Sequence, residues 1–381
     1  MENIKVGVIG AGFIGPVHVE ALRRVPGVEV VAIAAATPAE AETAAKKLSI
    51  PKAHKCWEDL VADPEIQVVH NCTPNVLHYP INMVVIAAGK HLVSEKPLGM
   101  NETESKTMYD AAQKAGIINA INYNYRMYPL VRQAMENVST GDIGNILLVH
   151  GSYLQDWLLF ETDYNWRVEP ECGGALRAIG DIGSHWCDLA QYITGSPIVE
   201  VCADLQTFHK TRMRPESGSN ETFTNEKKSG TPVEIKTEDA ATVLIRFANG
   251  ARGSFLVSQV SAGRKNRLWM EVDGTKKSMV WNQEDPNNLW IGRRETPSQT
   301  LPKDASLMSR EAAQLAHYPG GHPEGYPDVV KNLFTRVYDD IRNGTRKGGY
   351  PTFADGYRAE RVNAAILKSH QTQSWVKVEQ E

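Results

Sequence analysis

The sequence lacks any Cys-x-x-Cys pair: its five cysteines, Cys56, Cys72, Cys172, Cys187 and Cys202, are odd in number and scattered. Such a set reads as reduced thiols packed as small apolar side chains. There is also no uninterrupted apolar run near the roughly 18 residues that a membrane span requires. No charged leader with a long apolar stretch precedes the strand-like "VGVIG". Neither secretion nor an anchor is therefore expected, and the predicted location is the cytoplasm. An excess of basic charge is missing as well: 41 Lys and Arg face 45 Asp and Glu, for a net charge of −4. That balance gives no electrostatic reason for a nucleic-acid or anionic-membrane partner. No internal repeat is visible. What is present is an ordinary globular composition, 42% hydrophobic and 23% charged. At 381 residues the chain exceeds one small core and predicts two domains.

The first third alternates short apolar runs with helical patterns: "KVGVIG" then "GPVHVEALRRV", and "VEVVAIAAA" then "PAEAETAAKKL", the latter opening on a proline. "VVHNCTP" and "HLVSEKP" close further units at prolines. Continuous apolar strands alternating with helices predict a parallel sheet covered on both faces. From about Asn145 the texture changes to strand runs joined by short turns, with hairpin signals at "FANGARG" and "VDGTKK". An antiparallel sheet in an α+β second domain is expected there. The polar stretch "HKTRMRPESGSNETFTNEKKSGT" reads as a long loop at the sheet's end, either mobile or part of a site or interface. Two helical segments, "PDVVKNLFTRVYDDIRNG" and "ADGYRAERVNAAILKSH", close the chain.

In "GAGFIG", Gly10, Gly12 and Gly15 follow a strand and open a helix, with Phe13 and Ile14 inside the turn. Glycines there permit the tight turn and let the backbone approach a pyrophosphate at a helix N-terminus; the bland reading is a turn that packs helix on sheet. The second strand ends Ala35–Ala36–Thr37, with no acid for a ribose diol and no base for a 2′-phosphate. NAD is thus favoured over NADP. Thr37 offers the cofactor a hydroxyl or caps a helix. Thr73, Pro74, Asn75 and His78 in "CTPNVLH", and Glu95 and Lys96 in "SEKPLG", end predicted strands, where a doubly wound sheet lines its cofactor crevice. Asp181 and His185 stand four residues apart in "GDIGSHWCD". By spacing alone they are a helix cap and a core histidine, a catalytic pair, or, with Asp188, a metal set.

Taken in order, "GAGFIG", "TPNVLH", "EKPLG", "NYNYRMYP" and "GDIGSHWCD" resemble the Gfo/Idh/MocA family of NAD(P)-dependent oxidoreductases, from the N-terminus to about Ile193. Further on, "GRKNRLWMEVDGTKKSM" and "GHPEGYPD" resemble members acting on pyranosides and anhydrosugars. The resemblance implies an α/β chain with an N-terminal Rossmann domain on a parallel sheet, residues 1–125. A C-terminal α+β domain with a large, mostly antiparallel open sheet would follow over residues 126–381, serving substrate and oligomerisation, with terminal helices able to pack back on the first domain. It also implies a reaction centre of Lys96, Asp181 and His185, no metal, Asn124 and Arg126 beside the cofactor, and Tyr125 beside the sugar.

The chemistry agrees. Oxidising a secondary alcohol needs a hydride acceptor at the carbinol carbon and a base for the hydroxyl proton, and histidine titrates near neutrality. Asp181, a helical turn earlier, would orient the imidazole, and the Lys96 ammonium would stabilise the developing alkoxide. Gln155, Trp157, Trp166 and Arg167 suit stacking on a sugar and bonding its hydroxyls, or ordinary sheet packing; His322 lies in a glycine-rich loop that can close over a sugar. Against the family pattern, "GGALRAIGDIGSH" is longer by "RAI". Arg177, or Arg167, is therefore a candidate for an anionic substituent such as a carboxylate or sulfonate. The expectation is an NAD-dependent dehydrogenase acting on a ring hydroxyl, C3, of a pyranoside or related sugar, as a dimer or tetramer. The alternatives are a redox glycosidase that oxidises C3, eliminates the aglycone, adds water and re-reduces, and a non-catalytic sensor.

Overall fold

The computed structural model describes residues 3–216 and 230–380. In chain order its elements begin β1 Ile4–Ile9, α1 Ile14–Arg23, β2 Val28–Ala34, α2 Pro38–Lys47, β3 Lys52–Ala53, α3 Trp57–Ala62 and β4 Val68–Asn71. Then come α4 His78–Ala87, β5 His91–Ser94, α5 Glu102–Ala115, β6 Asn119–Ile121, α6 Pro129–Ser139, β7 Ile146–Leu154, α7 Pro170–Gly173 and α8 Ser184–Thr194. Strands β8 Ile198–Gln206, β9 Thr211–Pro215, β10 Gly230–Glu234, β11 Ala240–Phe247, β12 Arg252–Ser258 and β13 Arg267–Gly274 follow. The chain ends with β14 Ser278–Asn282, β15 Asn288–Gly292, β16 Gln299–Pro302, α9 Arg310–Ala313, α10 Tyr326–Asn343, α11 Phe353–Thr372 and β17 Val376–Lys377. Two compact units result, residues 1–127 with 326–360, and residues 128–325 with 361–381.

The first unit is a six-stranded sheet in the order β3-β2-β1-β4-β5-β6, parallel throughout. Its order reverses between β1 and β4, the point at which ligands seat on doubly wound sheets. The near-continuous apolar strands are buried, as a parallel sheet requires. Ile9, Val69 and Leu92 from the strands pack with Ile81, Val85 and Met108 from α4 and α5. Local chemistry sets the helix ends. Asn101 accepts from Glu104 N at the start of α5, and Gly116 closes that helix in the left-handed region at φ 65°.

The second unit carries a nine-stranded sheet, β16-β15-β14-β13-β7-β12-β11-β8-β17, antiparallel at every pairing but β7–β12. Alternation along β11 and β12 puts Val243, Ile245, Phe255 and Val257 inside and leaves Leu244 and Leu256 outside. Trp186 of α8 stacks on Phe255 with ring centroids 4.6 Å apart. One correction falls on the polar stretch read as a loop. It opens and closes as β9 and β10, paired antiparallel from Thr211↔Glu234 to Pro215↔Gly230. Its middle, residues 217–229, lies outside the described residues. No described helix is long and apolar enough to cross a membrane.

Candidate active site

β1 runs into Gly10 at φ +106°, where a Cβ would lie 2.5 Å from the Cys72 carbonyl oxygen. A Cβ on Gly15 would come within 2.1 Å of Gly10 O. These two glycines are demanded by the protein's own backbone. Gly12 is not, since nothing lies within 4 Å of where its Cβ would be. That space adjoins the first turn of α1, which holds no acidic residue to neutralise its positive end. A pyrophosphate fits there, with Gly12 allowing it to approach the positive end of the helix. Phe13, at the helix start, is 60% exposed, and Ile14 begins the helix proper. Beyond β2, Thr37 caps α2 by accepting from Glu40 N at 3.2 Å.

The rim after β4 and β5 is held by polar side chains. Asn71 Nδ2 donates to Asn82 at 2.8 Å, Asn82 Nδ2 donates to Ser94 Oγ at 2.9 Å, and Thr73 Oγ1 donates to Asn71 at 2.7 Å. Pro74 leads into a short turn over Asn75–Leu77. His78 ties the two rim segments together, its ring nitrogens reaching Pro97 O at 2.6 Å and Thr73 O at 2.9 Å. Burial pushes the His78 pKa down, against the upward pull of those carbonyls and of Glu95. Glu95 is buried, receives hydrogen bonds from His18 and Asn122, and accepts from Lys96 N. Burial alone would raise its pKa, but His18, Asn122 and the Lys96 charge outweigh burial and hold it at about 2. Lys96 thus follows a fixed carboxylate and is itself half-buried. Asn124 and Tyr125 are buried, and Arg126 Nη2 pairs with Asp355 at 2.9 Å. His18 and Asn122, which bond Glu95, and His70 and Tyr338, which continue the chain from His18, were not singled out by the sequence.

In the second unit a π-helical turn, Ile179–Gly183, precedes α8. Asp181 sits in that turn and His185 is the second residue of α8. Of the extra "RAI", Arg177 and Ala178 precede this turn and Ile179 begins it. Gln259 Nε2 donates to Asp181 Oδ2 at 2.8 Å, and Arg167 Nε lies 3.4 Å from Oδ1. Arg167 also lies over the Trp166 ring, 4.4 Å from its centroid. His185 is only 8% exposed and faces the Tyr153 ring at 6.4 Å. A polar group continues from there. Tyr153 OH and Gln155 Nε2 both donate to Asn266 Oδ1, at 2.6 and 2.8 Å, and Trp157 Nε1 donates to Gln155 at 2.8 Å. Gln259 and Asn266 were missed by the sequence reading; each is a polar residue just outside a strand, after β12 and before β13, which is common on any sheet.

Arg177 is corrected. Its side chain is 1% exposed and pairs with Asp239, which Arg212 also engages at 2.8 Å. A guanidinium so enclosed meets no substrate, and its partner stands 62 residues away in sequence. His322 is exposed on a loop held by the buried Lys303–Glu324 pair, 2.6 Å apart. The Asp181–His185–Asp188 set does not converge as metal ligands. Among the described residues the three-ligand group within 4.8 Å is His150, Glu271 and Asp273, on β7 and β13.

Residues 4–123 match the family described as an oxidoreductase family with an NAD-binding Rossmann fold, and residues 131–280 match the Gfo/Idh/MocA C-terminal domain. The chain belongs to the Gfo/Idh/MocA family. It is an oxidoreductase whose cofactor is NAD, the group that the open space at Gly12 fits. Among relatives of this Gfo/Idh/MocA protein, levoglucosan dehydrogenase of Pseudarthrobacter phenanthrenivorans is 33% identical over 100% of this chain and 99% of its own. The 1,5-anhydro-D-fructose reductase of Ensifer adhaerens is 31% identical over 82% of this chain and 86% of its own. A levoglucosan dehydrogenase solved with NADH and L-sorbose superposes with a TM-score of 0.89, at 32% identity, covering 99% of both chains.

Proposed function

We propose that this protein oxidises a ring hydroxyl, at C3, of a pyranoside or anhydrosugar, passing hydride to NAD. The observation that carries the reading is the buried His185 four residues along the chain from a carboxylate, Asp181, that Gln259 and Arg167 hold. The Tyr153–Gln155–Trp157–Asn266 group, with aromatic faces and amide edges, suits sugar hydroxyls. Full-length similarity to an anhydrosugar dehydrogenase supports the substrate class. NAD, when bound, supplies the hydride acceptor. His185 takes the hydroxyl proton, Asp181 fixes the imidazole, and the Lys96 ammonium stabilises the oxygen as it becomes anionic. Gly12 and the start of α1 receive the pyrophosphate; Thr73, Asn75 and Asn124 line the crevice. Ala35 and Ala36 at the end of β2 offer a 2′-phosphate no base, which favours NAD over NADP. A dimer or tetramer is expected, read by light scattering.

The test is incubation with NAD and a panel of levoglucosan, neutral glycosides and anionic glycosides, following NADH absorbance and the carbon skeleton of the product by NMR. One NADH per keto sugar supports the reading. Aglycone release over many turnovers without net NADH would replace it with redox-neutral glycoside cleavage.

A further inference from the structure

A chain of buried side chains in the first unit is not used by the chemistry just described. His18 of α1, His70 of β4, Glu95 after β5, Asn122 after β6 and Tyr338 of α10 are all under a tenth exposed. His18 Nε2 lies 2.9 Å from Glu95 Oε1, and His18 Nδ1 lies 2.9 Å from His70 Nδ1. His70 Nε2 lies 2.9 Å from Tyr338 OH, and Asn122 Nδ2 donates to Glu95 Oε1 at 2.5 Å. Phe334 closes the cage edge-on, 4.9 Å from His18 and 4.8 Å from His70.

Two imidazoles facing each other through Nδ1 leave two consistent proton arrangements. In one, His18 Nδ1–H donates to His70, and His70 Nε2–H donates to the Tyr338 oxygen. In the other, Tyr338 O–H donates to His70 Nε2, and His70 Nδ1–H donates to His18. Both satisfy every ring nitrogen in the chain. Both also leave a proton on His18 Nε2, aimed at Glu95. The first arrangement holds one proton more than the second, with His18 an imidazolium instead of a neutral ring, and in both the same N–H faces the carboxylate.

The second Glu95 oxygen accepts from Lys96 N at 3.2 Å. We infer that His18 is a positioning residue for the proposed oxidation: backed by His70 and Tyr338, it keeps Glu95 an oriented acceptor that fixes the backbone of Lys96. The inference rests on the reading that Lys96 holds the substrate oxygen. Its pH signature follows from the groups around Glu95, which are His18 on α1, His70 and Cys72 on and after β4, His78 on α4 and Lys96 beside it, with Tyr338 of α10 at the network's far end. Burial pushes His70 well below its ordinary range, with the His18 charge adding to that effect, so His70 stays neutral. Removing His18 leaves the Glu95 carboxyl with its burial opposed only by Asn122 and Lys96, and its pKa must rise.

The experiment compares wild type with His18→Leu, His18→Gln and Tyr338→Phe. It reads kcat and KM for levoglucosan with NAD from about pH 5 to about pH 9, NADH affinity by fluorescence, and the Glu95 carboxyl 13C shift, assigned through Glu95→Gln. In His18→Leu the Glu95 carboxyl is expected to titrate within that range. Its kcat should fall about 10- to 100-fold at neutral pH and gain an acid limb at the same pH. NADH affinity should stay within about threefold, since the glycine turn is untouched. His18→Gln restores an N–H to Glu95 and is expected to recover much of kcat; Tyr338→Phe should leave Glu95 ionised. The inference is overturned if Glu95 remains ionised without His18, or if it is protonated while kcat and its pH profile match wild type. If His18→Leu does not fold, the Glu95 titration and kcat of His18→Gln decide in the same way. A wild type that oxidises no sugar would instead sink the functional reading, and the carboxyl titration would still decide what His18 does.

Discussion

Asp181 shares one carboxylate between two partners, Gln259 at 2.8 Å and the more exposed Arg167 at 3.4 Å. The neutral amide holds the carboxylate in place without quenching its charge, which the proposed steering of the His185 imidazole requires. His185→Asn and Lys96→Met are accordingly expected to lower kcat by about 1000-fold or more while NADH still binds, read by turnover and fluorescence titration. Arg177 behaves differently. It is fully enclosed with Asp239 and Arg212. Removing one partner of a buried pair costs about 3 kcal/mol or more. Arg177→Met should lower the urea midpoint by a corresponding amount and leave the ratio of KM values for neutral and anionic sugars unchanged. A shift in that ratio alone would restore the substrate role that its burial denies.

The turn between β1 and α1 separates two kinds of glycine. Gly15→Ala puts a Cβ 2.1 Å from Gly10 O, so the fold itself has to yield. Gly12→Val meets no protein atom within 4 Å of its Cβ and blocks only what would bind there. Gly12→Val should keep a wild-type melting temperature and lose NADH affinity by about 10-fold or more; Gly15→Ala should lose stability first. The loop after α10 is held by Asp340, which accepts from Thr345 Oγ1, Lys347 N, Gly348 N and Tyr350 OH. Burial raises the Asp340 pKa, but these four donors outweigh it and the net shift is downward. A carboxyl lowered on folding stabilises above its unfolded pKa and loses that contribution as pH falls through the folded value. Asp340→Asn should therefore cost about 2 kcal/mol at neutral pH, with the gap closing below about pH 4, read by paired thermal melts.

Across the whole molecule, what could be read in the sequence was what local spacing decides. The glycine turn, the Thr37 cap and the Gly250 hairpin at φ 91° depend on a few adjacent residues. Strands β9 and β10 escaped notice because their residues are polar. Arg212 is nonetheless fully buried there, its guanidinium spent on Leu158 O, Phe160 O and Asp163 O as well as Asp239. The proposed reaction centre of Lys96, Asp181 and His185 comes from the family resemblance, and the groups that hold these residues were not legible in the sequence. His70 and Tyr338 are 268 residues apart, and Asp181 and Gln259 are 78 apart, distances that no periodicity encodes. Hydride transfer from a ring carbon of a sugar to NAD is read directly with levoglucosan deuterated at C3, by mass spectrometry of the NADH formed. Deuterium in the NADH, with a primary isotope effect of about 2 or more on turnover of the bound complex, is the expected result. NADH that carries no deuterium from C3, or sugar consumed with no transfer to NAD at all, would contradict it.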